Sequence, residues 1–273
     1  MGEREETERA ASPAKAAPDA RRAEKNARRL WRETFYRRFL APGDLAFDIG
    51  ANVGQRTEMF LAAGARVVAV EPLPANVVAL RGRFGGRHDV AIVAAGVDAR
   101  EGERTLLYGE EAPTVASMSP DWIAAVRRAA RLSGPMFRWD RSVVVPVTTL
   151  DRLIAGHGEP AFCKIDVEGM EPAALAGLSR PLRALSVEYT PEAISEAAAC
   201  VRRLGELGDY RFNYTEGEVF RLRLAEWVGG EELLCRMAEL GGLPTYGDLY
   251  AWRADAWRSG PVERPVHNPV DEL

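Results

Sequence analysis

Apolar positions along the chain recur at two periods. Residues 44–49 are strand-like, 66–70 is a continuous β-branched run and 89–97 reads as a buried strand, and between them residues 55–63 and 75–84 carry helix-forming stretches. Gly64 closes the first of these helices, and Gly85-Gly86 ends the second. Strand, crossover helix and strand in repetition predict a parallel sheet with helices on both faces. The rhythm resumes with strands predicted at 142–147, 161–167 and 184–189 and helices at 150–154, 171–178 and 191–207. Residues 210–214, 219–224 and 248–252 are candidates for the final strands.

Residues 110–140 break the alternation. They carry Pro113, Ser117 and Pro120, a helical piece over 122–132, Gly134-Pro135, and the aromatics Phe137 and Trp139. This reads as an insertion over one end of the sheet. Trp122, Met136, Phe137 and Trp139 fit either a lid that excludes water or ordinary packing of that insertion. At the N-terminus, residues 1–20 are rich in Ala, Glu, Pro and Arg and predict a disordered tail. A helix is expected over 21–40, with Leu30, Trp31, Phe35, Tyr36 and Phe39 as its apolar positions and Pro42-Gly43 as its stop. With a polar tail over 259–273, the expected organisation is a single α/β domain spanning 21–258.

Composition adds bounds. A hydrophobic share of 47% and a charged share of 28% are ordinary for a globular protein. No apolar run approaches the roughly 18 residues of a membrane span, and the polar N-terminus has no signal-peptide core; the expectation is a cytoplasmic protein. Cys163, Cys200 and Cys235 are too scattered for a disulfide framework or a structural zinc site. Residues 1–40 hold 11 basic and 7 acidic side chains, a balance of +4 that leaves -8 for the rest of a chain whose net charge is -4. No aromatic–basic platform accompanies this arm, so no nucleic-acid partner is expected. Only Lys15, Lys25 and Lys164 are lysines among 36 basic residues, which makes Lys164 conspicuous.

Two motifs carry chemistry. The first strand ends in F-D-I-G-A-N-V-G (47–54), a glycine turn without the G-x-G-x-x-G spacing of a dinucleotide fingerprint. Gly50 and Gly54 permit backbone approaches that a Cβ would block, Asn52 stands between them, and the helix opening at Gln55-Arg56-Thr57 points free N–H groups at a ligand. Asp48 discriminates between ligands: a fixed carboxylate repels a pyrophosphate and attracts an ammonium. Glu71, at the end of the second strand and 21 residues after Gly50, is placed to accept ribose hydroxyls. Asp48, Gly50, Asn52, Gly54, Thr57 and Glu71 together point to S-adenosylmethionine.

The second motif is K-I-D-V-E-G (164–169) in an otherwise apolar strand. A period of two puts Lys164, Asp166 and Glu168 on one side and Ile165 and Val167 on the other. Three interior charges need partners. A Lys164–Asp166 ion pair that steadies the strand end is the purely structural explanation; a functional site at the ligand-binding edge is the other.

Taken with T-T-L-D (148–151), L-A-G-L (175–178) and V-E-Y (187–189), these motifs make the sequence resemble the FkbM family of adenosylmethionine-dependent methyltransferases over about residues 44–190. Gln55 departs from the pattern, standing where an aromatic is expected. The resemblance implies a class I methyltransferase (Rossmann-like) fold with a mostly parallel seven-stranded sheet. It also implies methyl transfer to a hydroxyl oxygen of a sugar or other secondary metabolite.

An alcohol acceptor must lose its proton, so a base helps. His88 and His157 belong to loops entering strands, at the wrong edge of the sheet, and His267 is in the tail. The remaining groups are Asp166 first, which could instead orient the methionine end of the cofactor, then Glu168, and Glu188 at the end of the fifth strand. Lys164 is expected to be their charge partner. A divalent metal such as Mg²⁺ on Asp166 and Glu168 is not favoured, since two carboxylates are few for an octahedral ion. The competing readings are an NAD(P)-dependent oxidoreductase and a non-catalytic methyltransferase-fold binding subunit. The acceptor's identity and the oligomeric state are not legible in the sequence.

Overall fold

The computed structural model describes residues 34–111, 113–129, 137–239 and 245–256. Both predicted tails, residues 21–33 of the predicted N-terminal helix, and Met136 lie outside them; residues 34–36 are helical.

The strands in chain order are β1 (Leu45–Ile49), β2 (Arg66–Val70), β3 (Val90–Val93), β4 (Gly96–Val97), β5 (Gly102–Tyr108), β6 (Arg141–Thr148), β7 (Phe162–Ile165), β8 (Ala184–Tyr189), β9 (Tyr210–Tyr214) and β10 (Gly247–Arg253). The helices are α1 (Gln55–Ala62), α2 (Pro74–Phe84), α3 (Pro120–Arg128), α4 (Leu150–His157), α5 (Glu171–Ala176), α6 (Ile194–Leu207) and α7 (Gly230–Glu239). Seven strands form the main sheet in the order β3-β2-β1-β7-β8-β10-β9, parallel except for β10, which runs antiparallel to both neighbours. The chain winds outward from β1 to β3 and then returns to place β7 on β1's other side. This reversal opens a crevice at the carboxyl ends of β1 and β7.

Side-chain alternation sorts the sheet's two faces. Phe47, Ile49, Cys163, Ile165, Leu185, Val187 and Leu249 enter one core, beneath α4, α5 and α6. Ala46, Phe162, Ala184, Tyr250 and Trp252 enter the other, with Phe35, Tyr36 and Phe39 from the N-terminal segment and Phe60 from α1. There Phe39 stacks on Tyr250 at 5.5 Å and Phe162 tilts against Phe39 at 4.7 Å. Local chemistry sets the helix starts: Ser119 and Thr149 accept hydrogen bonds from the backbone N–H groups of Trp122 and Arg152, and Pro74 opens α2.

Several expectations are revised. The predicted strand over 89–97 is two: β3 is a half-buried edge strand, while β4 joins a second, three-stranded sheet of order β4-β6-β5. The predicted strand at 142–147 therefore leaves the main sheet, pairing antiparallel with β5, which the sequence pattern did not show. Residues 219–224 form no strand: Phe220 and Leu222 pack into the aromatic core, and the segment is tied to β9 by the Arg223 N–H on the Tyr214 carbonyl and by the Asn213 side chain on Leu224, without a regular ladder. Helix α7 was also unanticipated, although Leu233 and Met237, four apart, bury as one stripe. No helix among the described residues is long and apolar enough to cross a membrane.

Candidate active site

A cavity of about 360 Å³ opens at the crevice, walled by the glycine turn, the end of β2, the K-I-D-V-E-G turn and the insertion. The turn is held tightly. Gly50 has φ +82°, and a Cβ there would lie 1.7 Å from the carbonyl oxygen of Asp166. Gly54, at φ +86°, would drive a Cβ into the Leu80 and Phe84 side chains of α2. Asn52 between them takes the left-handed conformation tolerated by asparagine (φ 51°) and lines the cavity. Its carboxamide oxygen is buried without a hydrogen-bond partner.

Glu71 also lines the cavity. Its Oε2 accepts the Asn52 N–H at 2.8 Å, and its Oε1 accepts the Leu73 N–H at 2.8 Å. Burial pushes its carboxyl up, and these hydrogen bonds oppose the shift. Asp48 sits differently from the expectation: it is buried behind the wall, where Oδ2 accepts the Thr57 hydroxyl at 2.6 Å. Neither Asp48 nor Thr57 lines the cavity, and Gly54 acts through packing against α2.

Strand β7 stops at Ile165, so Asp166, Val167 and Glu168 lie in the turn beyond it. Glu168 (φ 52°) and Gly169 (φ 92°) are both left-handed, which ends the strict alternation assumed from the motif. Glu171 ties the turn down by accepting the Val167 N–H at 2.8 Å and the Gly169 N–H at 3.0 Å. Asp166, Glu168 and Glu188 line the cavity, and each offers a carboxylate oxygen within 4.8 Å of the others. Such an oxygen set suits a hard divalent cation, and it equally suits the sharing of a proton.

Lys164 does not line the cavity. It is 1% exposed, and its Nζ lies 2.9 Å from Asp166 Oδ2 and 2.9 Å from Asp248 Oδ1. Burial alone would lower the ammonium's pKa, but the two carboxylates outweigh it and hold the group charged, well above its usual range. Burial would raise Asp166, yet Lys164 and a hydrogen bond with Glu188 hold it below the usual carboxylate range. Glu168 and Glu188 are pushed well up, by burial first and then by Asp166 and other neighbouring carboxylates. The surroundings therefore favour the ionised form at Asp166 and disfavour it at Glu168 and Glu188.

The insertion closes the opposite wall. Thr114, Val115, Ala116 and Met118 line it, and the Ser117 hydroxyl donates to the Glu168 carbonyl oxygen at 2.6 Å. Trp122 packs so closely on Gly169 that a Cβ there would meet it at 2.4 Å, and Trp122 and Trp139 meet edge to face at 6.2 Å. These tryptophans are buried packing under the wall. Arg56, Glu218 and Tyr246 complete the rim, with the Arg56 guanidinium 3.0 Å from both Glu218 oxygens and 4.6 Å over the Phe220 ring. His88 and His157 are exposed and outside the cavity.

The sequence reading missed Arg56, Glu171, Glu218 and Asp248. The requirement that Lys164 be fully paired was the signal for Asp248, but its strand lies 84 residues away along the chain.

Residues 48–213 match the Methyltransferase FkbM domain. The chain is 32% identical to the 31-O-demethyl-FK506 methyltransferase FkbM of Streptomyces tacrolimicus, over 51% of this chain and 61% of that protein. It thus spans less than two thirds of that relative. Solved structures superpose loosely. One is a precorrin-6y C5,15-methyltransferase from Geobacter metallireducens (12% identity, TM-score 0.44, 83% of this chain and 86% of that one). Another is an O-methyltransferase from Bacillus cereus (11% identity, TM-score 0.40, 89% and 84%). The match across β1, β2, β7, β8 and β9, on a class I methyltransferase sheet, makes this chain a member of the FkbM methyltransferase family.

Proposed function

We propose that the protein is an S-adenosylmethionine-dependent O-methyltransferase acting on a hydroxyl of a small molecule, a sugar or other secondary metabolite. One observation carries the reading: a cradle at the glycine turn and Glu71 shares a cavity with a cluster of three acids, Asp166, Glu168 and Glu188.

The residues present fit the cofactor. The buried, unpartnered oxygen of Asn52 is an acceptor awaiting a donor, and Glu71 is held where a ribose would meet it. Val70, Pro72, Ala95, Leu106 and Met118 supply apolar walls for a purine. When bound, S-adenosylmethionine supplies an activated methyl group whose C–S bond breaks as the new C–O bond forms, the electron pair leaving on sulfur.

The chain's own residues then have two tasks. The glycine turn and the insertion position the reactants and exclude water, the part of catalysis that orientation supplies. Asp166 takes the hydroxyl proton; its Oδ2 is bonded to Lys164, which leaves Oδ1 to hold it. The Glu188 carboxyl, with an oxygen within 4.8 Å of Asp166, is placed to donate a hydrogen bond to it and spread its charge. The Lys164 ammonium on Asp166 repels a dication from the same carboxylate, so turnover should survive dialysis against a chelator.

Calorimetry should show S-adenosylmethionine and S-adenosylhomocysteine binding, and labelled S-adenosylmethionine with a cell extract should yield a labelled small molecule whose methyl sits on oxygen. Binding of NAD(P)H in place of S-adenosylmethionine would overturn the reading.

A further inference from the structure

The family match ends at residue 213, and β10 lies beyond it, antiparallel between β8 and β9. Asp248 on β10 is directly opposite Glu188 on β8, and opposed residues share a face of the sheet. Lys164 pairs with Ser186, two residues before Glu188, and so lies on that same face one step deeper. The edge therefore carries Asp166, Glu188 and Asp248 in a row over a single buried ammonium. Asp248 itself is buried and does not line the cavity. The Tyr250 hydroxyl donates to its Oδ2 at 3.3 Å.

A buried ammonium has three N–H donors to satisfy, and Asp166 takes one of them. With Asp166 as its only anchor, the ammonium would follow that side chain into the cavity. We propose that Asp248 is a positioning residue that anchors the Lys164 ammonium beneath Asp166 and Glu188, fixing from behind the cavity the charge those acids feel. This rests on the methyltransferase reading of the acids.

Of the other groups around Lys164, the charged ones are engaged elsewhere, whereas the buried Tyr36 and Ser186 hydroxyls have no hydrogen-bond partner among the described residues. Asp48, opposite it on β1, accepts from Thr57, and Arg56 on α1 is committed to Glu218. Tyr36 from the N-terminal segment acts on it as well, and Glu168 and Glu188 feel its charge from the cavity side. Among the described residues, Asp166 and Asp248 are the two carboxylates in contact with Lys164. Replacing Asp248 by asparagine removes one of the two carboxylates that hold the ammonium.

The chain has three lysines, so full-length protein labelled with ¹⁵N-lysine gives three ammonium signals at most, and Lys164 is the one that should exchange slowly with solvent. In Asp248→Asn this exchange should quicken by about tenfold or more, and Asp248→Glu, which keeps the carboxylate, should restore the slow exchange. An Asp248 that merely stabilises the fold would lower the melting temperature and leave the Lys164 exchange of the folded protein unmoved, and that result overturns the proposal. Should Asp248→Asn not fold, the wild type decides: a Lys164 ammonium exchanging as fast as free lysine overturns it, and a protected one upholds it. Absence of S-adenosylhomocysteine binding to the wild type would sink the methyltransferase reading and leave the anchoring result standing.

Discussion

Two residues bear most directly on the proposed chemistry. Gly50 combines a left-handed backbone with a carbonyl oxygen where its Cβ would be, and both neighbours of that contact line the cavity. Gly50→Ala is expected to push the Asp166 turn away and abolish S-adenosylmethionine binding; a folded variant with wild-type affinity by calorimetry would contradict this. Asp166→Asn removes the acid whose ionised form Lys164 favours, with little change of shape. Turnover should drop by about 10²–10⁴-fold, the usual contribution of a general base, while S-adenosylhomocysteine still binds. At this scale the sequence placed Glu71, Asp166, Glu168 and Glu188 at the correct edge of the sheet, because strand ends were legible. It could not show that Asp48 turns inward to Thr57, since its two side-chain environments differ by one face of a strand, and only packing selects the face.

Among elements, the insertion decides whether the K-I-D-V-E-G turn keeps its shape. Trp122 of α3 covers Gly169, donates its indole N–H to Thr190 at 3.1 Å and packs on Trp139. Trp122→Ala should cost about 3–5 kcal/mol, the range for emptying a buried large aromatic site, read as a lower urea midpoint. An exposed lid residue would show almost no change. Helices α1 and α2 and strands β1, β2 and β8 were legible because their periodicities are long or their stop signals are strong. Strand β5 was hidden because residues 102–105, Glu103 and Arg104 among them, are exposed on both faces of the strand, so no apolar run marks it. The 219–224 segment misled for the opposite reason: its alternation is real, but it meets β9 partly through the Asn213 side chain, which takes the place of ladder bonds.

For the whole molecule, buried acids set the pH response. Glu171 and Glu196 are each pushed up to about 7, by burial first, from an ordinary 4.5. A folded-state value above the unfolded one means that folding takes up protons, so stability is full below about 4.5 and falls as pH rises through about 7. Glu71, Glu168 and Glu188 shift in the same direction. The melting temperature should therefore be higher near about pH 5.5 than near about pH 8, and Glu171→Gln should flatten that slope by on the order of 1–3 kcal/mol. A melting temperature that rises with pH across this range would refute the assignment.

The sequence by itself determined the α/β alternation, the glycine turn, the acid at the end of β2 and the family, because each is written in neighbouring residues through strand and helix periods and backbone freedom. Tertiary structure alone decided which acids gather at the cavity and which charge they meet. Asp166, Glu188 and Asp248 become neighbours through strand order and register, and Lys164 is anchored by a residue from an antiparallel strand near the far end of the chain. Electrostatic coupling depends on distance in space, and no local pattern encodes a distance between residues 84 apart.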